Sequence, residues 1–256
     1  MIFHHKNIIT REAALFLRVV VLNVIWLANS FAIDESVYRP NYDCIGSDGS
    51  FERVFKLGTI KSDSISYPII LTFSSGRNSG NTLLGTGWEM PVFDSKIFQT
   101  SENEFLVSVP NGIQIKLLRD LKNKNVLTHP SGWSGKIDMN SITIISPRGY
   151  SYKYDNGLLS SITTSSGNVM EVIRSKDSYQ LLSKENQKIL LSITPSEKKN
   201  NTLVGKIDGR DIDFNLTKRP IIHTFNDQRL VESMSTALEE IMIDGCRLFF
   251  VNYDVT

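Results

Sequence analysis

Apolar and polar residues alternate with a period of two through most of the chain beyond residue 50. The clearest stretch is Gly149-Tyr150-Ser151-Tyr152-Lys153-Tyr154-Asp155-Asn156-Gly157-Leu158-Leu159-Ser160-Ser161-Ile162. Residues two apart share one face of an extended strand, so the three tyrosines predict a single packing face. Asp155-Asn156-Gly157 tolerates the positive φ that a tight hairpin turn needs. Leu158 to Ile162 returns as a second strand, and Ser165-Ser166-Gly167-Asn168 turns the chain again.

The same rhythm predicts strands over residues 51–60, 68–73, 142–145, 169–174, 179–182, 189–193, 203–207, 212–216, 220–225 and 247–253. Asn111-Gly112 joins two more, 105–109 and 113–117, and Asn-Gly between alternating apolar runs is a strong hairpin signal. One stretch departs from the pattern. Leu230, Met234, Leu238 and Ile241 recur at helical spacing, which predicts a helix over 230–243 stopped by Asp244-Gly245. The fold class is therefore all-β: an array of antiparallel β-hairpins over 51–256, with at most one short helix near 230–243. A single hairpin cannot bury its own apolar face, so neighbours must stack to complete a core.

Composition narrows the function classes. The 28 basic and 27 acidic residues nearly cancel, leaving no net field to draw the chain to nucleic acid. Residues 1–32 read as a secretory signal: His4, His5, Lys6 and Arg11 precede an apolar run, and Ser30-Phe31-Ala32 supplies small residues before a cut at Ile33. Arg18 and Asn23 interrupt that run, which leaves it short of the roughly 20 residues of a membrane span. Export to the cell surface or medium is the expected localisation, with no stable membrane span after cleavage. Residues 33–50 read as an extended lead-in. Cys44 and Cys246 are the only cysteines. An exported chain leaves two states open for them, a Cys44–Cys246 disulfide or two free thiols.

Candidate chemistry is sparse. Leu84-Gly85-Thr86-Gly87-Trp88 has the glycines of a phosphate loop but neither its pattern nor a following helix, so Gly85, Gly87 and Trp88 read as a packing turn. His129 and His223 have no visible nucleophile or carboxylate partner, and no catalytic residue is assigned. Asp208, Asp211 and Asp213 lack the remaining ligands of a calcium loop, and no metal or cofactor is expected.

Two motifs together resemble the Rhs/YD-repeat family. Gly149, Tyr152, Tyr154, Asp155, Gly157, Leu159 and Gly167 match its repeat unit, which places a YD-type unit at 149–168. Residues 67–88, ending in Gly85-Thr86-Gly87-Trp88, are similar to a segment near the start of Rhs proteins and insecticidal-toxin B components. The turn of the repeat is one residue shorter than the common form, and Leu158 stands where arginine is usual. The resemblance implies a curved sheet of hairpins from a toxin-enclosing shell, with a further Rhs-type polypeptide or a toxin cargo as partner. It implies structural residues and no catalysis. The alternative function is a carbohydrate-binding surface module, in which exposed Trp88, Trp133 and Tyr152 would stack on glycans.

Overall fold

Backbone hydrogen bonds decide the architecture, because each hairpin pairs with the next in sequence. A computed structural model describes residues 43–45, 51–62, 65–75, 82–207, 209–225 and 228–250. These residues belong to one compact unit, Tyr38–Thr256. The proposed signal segment 1–32 lies outside them.

A first sheet has the order β1 (Asp43–Ile45), β2 (Phe51–Ser62), β3 (Ile65–Ser74), β4 (Trp88–Glu89). One helical turn, α1 (Pro91–Asp94), follows. The second sheet contains fifteen strands in strict sequence order. They are β5 (Ile97–Ser101), β6 (Glu104–Ser108), β7 (Gln114–Arg119), β8 (Val126–Thr128), β9 (Ser134–Ile137), β10 (Ser141–Ile145), β11 (Ser151–Asp155) and β12 (Leu158–Thr163). Then come β13 (Val169–Arg174), β14 (Tyr179–Ser183), β15 (Ile189–Pro195), β16 (Thr202–Ile207), β17 (Arg210–Phe225), β18 (Gln228–Ile243) and β19 (Cys246–Phe250). The all-β hairpin array is thus the observed fold. We call β5–β19 the wall and residues 51–94 the insert.

The wall is strongly curved. In a flat sheet β5 and β12 would lie about 34 Å apart, seven spacings of roughly 4.8 Å. Instead Lys96 bridges Leu158: Ile97 N–H donates to Gly157 O at 2.8 Å and Leu159 N–H to Ser95 O at 3.1 Å. Strand β12 therefore divides its outer edge. Its first residues pair with the chain entering β5, and Ser161 to Thr163 pair with β13. Tyr154 donates its hydroxyl to Ser108 O at 2.9 Å across the same enclosed space. The wall's inward side chains and the insert share one core, with Leu57, Ile69, Leu71, Trp88 and Phe93 from the insert fully buried beside Tyr154, Leu181 and Phe214.

Two sequence expectations need correction. Residues 230–243 are strand, within β18, and not helix. The cause is visible in the register: β18 skips Glu239 between partners of Asn215 and Leu216, and skips Glu232 between partners of Ile221 and Ile222. Each β-bulge adds one residue and shifts the alternation, which converts period-two spacing into an apparent helical one. Leu238 and Ile241 stand three apart yet both are fully buried, opposite Leu216 and Phe214. Asp244 and Gly245, with φ of 49° and 78°, form a hairpin turn into β19. Second, 212–216 and 220–225 are one strand, β17, which runs through Pro220. Within the lead-in, residues 43–45 form β1, which lies antiparallel to β2. Among the described residues the helical turn is Pro91–Asp94, which starts at a proline suited to a first helical position.

Candidate functional site

The residues that carry the repeat resemblance serve turns and packing. Tyr152, Tyr154 and Leu159 are 2%, 0% and 0% exposed. Tyr150 packs at the margin of the same core, and its ring lies parallel to that of Tyr152 with centroids 6.5 Å apart. Trp133 also stacks on Tyr152, at 6.2 Å. Asp155 points outward and meets Lys153 at 3.3 Å. Gly149, Gly157 and Gly167 occupy the turns that flank β11 and β12, all with positive φ. The structure brings these positions together as one hairpin and its turns, with the aromatic face turned inward. Trp88, Trp133 and Tyr152 are all buried, so these three rings offer no stacking platform to a glycan.

The packing turn is placed against the wall. Thr86 N–H donates to Thr236 O at 2.9 Å, and Gly85 bridges Ala237 of β18. A β-carbon on Gly85 would lie 2.0 Å from Thr236 O, so no larger residue fits this approach. Trp88, just beyond, packs against Phe73 at 4.8 Å and Phe55 at 5.8 Å.

Sequence reasoning missed the most polar cluster of the core. Asp94 ends an apolar run, Met90-Pro91-Val92-Phe93, and is 8% exposed. Its Oδ1 accepts the Tyr179 hydroxyl at 2.6 Å, and its Oδ2 accepts Met90 N–H at 2.7 Å. Tyr179 in turn accepts Leu83 N–H at 3.0 Å and stacks on Phe93 at 4.7 Å. Arg174 donates through Nε to Phe93 O, while its Nη2 is buried without a hydrogen-bond partner. Burial, the largest influence, pushes the Asp94 carboxyl up to about 6, against the lowering effect of the Tyr179 and Met90 hydrogen bonds. Burial and the neighbouring Asp94 push the Tyr179 phenol upward, and burial lowers the Arg174 guanidinium. The arrangement joins insert to wall: α1 carries the acid, and β13 and β14 carry its partners. An acid inside an apolar run is the signal that sequence reading had available, because a buried carboxyl requires a hydrogen-bond partner.

The remaining candidates are dispersed. His129 Nδ1 meets Ser131 Oγ at 2.6 Å within its own exposed turn. His223 lies in β17, and its side chain is outside the described set, as is Asp208. Asp211 pairs with Lys206 at 3.3 Å and Asp213 with Lys199. No group of three metal-ligating side chains occurs among the described residues. Cys246 carries a free, exposed thiol; the side chain of Cys44 is outside the described set. Among the described residues no helix is long and apolar enough to cross a membrane. No model of a known protein family matches the chain. No curated protein matches it either.

Proposed function

We propose that this chain is an exported structural or interaction module, a wall segment of the kind that the Rhs/YD-repeat resemblance implies, and that it performs no reaction. The observation that carries the reading is the inward burial of the aromatic face, Trp133, Tyr152 and Tyr154, over an insert from the same chain. In a sheet used as a wall, aromatic rings supply core area and the polar residues alternating with them face outward. The module enters the export route through residues 1–32. Its partner is a further Rhs-type polypeptide or a toxin cargo.

A glycan array probed with the secreted full chain and with Trp133→Ala tests this reading against carbohydrate binding. The wall reading expects no saturable binding by either protein and a lowered melting temperature for Trp133→Ala. Saturable glycan binding, lost in Trp133→Ala at unchanged melting temperature, would overturn it. Mass analysis of the secreted form checks export, with an expected amino terminus at Ile33.

A further inference from the structure

Strand β2 of the insert crosses the wall at a seam with β15 and β16. Here the two layers touch closely. A β-carbon on Gly58 would lie 2.7 Å from Ile207 Cγ2, and Arg210 Nη2 donates to Leu57 O at 3.2 Å. Beside that contact the surface opens into a concavity of about 340 Å³. Lys61 of β2, Lys188 just before β15 and Lys206 of β16 all line it, and among the described residues no carboxylate does. Its apolar side includes Ile189, which is 54% exposed, and Leu191.

Several other lysines of the wall meet a carboxylate: Lys116 meets Glu104 at 2.8 Å, Lys153 meets Asp155 at 3.3 Å and Lys184 meets Glu171 at 3.7 Å. Lys206 has Asp211 at 3.3 Å, and Asp211 does not line the concavity. Lys61 and Lys188 have no ion-pair partner among the described residues. Like charges gathered on one concave surface repel each other and focus a positive potential into it, and an entering anion relieves both effects. The exposed apolar wall beside them suits a ligand whose anionic group is attached to an apolar body.

We propose that the seam is a binding site for an amphiphilic anion, with the ammonium groups of Lys61 and Lys188 holding a phosphate-type or carboxylate headgroup and Ile189 covering the apolar portion. The site contains residues from both layers, so an occupied site also ties the insert to the wall. This inference stands apart from the wall reading, since it concerns the outer surface and needs none of the repeat-motif residues.

The test is a titration of the isotope-labelled full chain with butyl phosphate, butyrate and inorganic phosphate at constant ionic strength, followed at the amides of Ile189 and Gly209. Saturable shifts are expected, with butyl phosphate or butyrate binding more tightly than inorganic phosphate. The stronger of the two identifies the headgroup class. The double variant Lys61→Gln/Lys188→Gln is expected to lose about tenfold or more in affinity, the scale of one or two charge-assisted hydrogen bonds. The control Lys122→Gln, in an exposed loop, is expected to bind as the parent does. Absence of saturable shifts overturns the proposal. So does equal binding by the parent and the double variant when both show the same melting temperature.

Discussion

The insert is fixed to the wall in two different ways, and the difference separates shape from charge. At Gly85 the contact is backbone on backbone: a bridge to Ala237, a 2.9 Å hydrogen bond from Thr86 to Thr236, and no room for a β-carbon. At Asp94 the contact is a buried polar network that runs through Tyr179 and Arg174. The first depends only on how closely two segments of the backbone approach and is indifferent to pH. The second holds a carboxyl group in a place where its charged form is disfavoured, so its strength depends on protonation. One fold thus combines a fixed contact with a titratable one.

Steric disruption of the first contact should have the largest effect. Gly85→Val is expected to cost roughly 4 kcal/mol or more, because a side chain would meet Thr236 backbone at a position with φ of 84°. Gly167→Ala provides the control, since φ there is 90° but nothing lies within 4 Å of the added carbon. It should cost about 1 kcal/mol, the backbone penalty alone. Urea unfolding of both variants checks the pair. Removal of the ring beneath Tyr152 comes next: Trp133→Ala is expected to cost about 3–4 kcal/mol through the cavity it leaves.

The titratable contact has its own signature. The folded-state value of Asp94, about 6, lies above the ordinary value of 3.8, so the folded chain binds more protons between those limits. Its contribution to stability is therefore largest below pH 4, falls as pH rises through 6, and is flat above that. The integrated loss is on the order of 3 kcal/mol. Asp94→Asn should remove this slope, as pH-dependent unfolding of the two proteins would reveal. Lys153→Ala, which breaks an exposed pair with Asp155, should change stability by less than about 0.5 kcal/mol at any pH between 4 and 8.

The same contrast governs what the sequence revealed. Hairpins with local signals were legible: the tyrosines of β11, the Asn156-Gly157 turn and the Asn111-Gly112 turn each carry their instructions within a few residues. Strands β8 and β9 were not, because Val126–Thr128 and Ser134–Ile137 are too short and polar to establish a period. In β18 the local signal pointed the wrong way, since bulges at Glu232 and Glu239 reset the alternation twice. The Asp94–Tyr179 contact spans 85 positions, and no local pattern announces a bond between residues so far apart. The approach of Gly85 to Ala237 was hidden for the same reason. Its glycine was identified as a packing residue, but its partner was not.

The central claim is that insert and wall form one cooperative structure with the aromatic face sealed between them. Native-state hydrogen exchange of the full chain tests it most directly, at the amides that cross the boundary: Thr86, bonded to Thr236 O, and Leu83, bonded to the Tyr179 hydroxyl. The account predicts that these amides open with the same free energy and denaturant dependence as those of β11 in the wall. Exchange of Thr86 and Leu83 through a separate, low-energy opening, with β11 still protected, would contradict it.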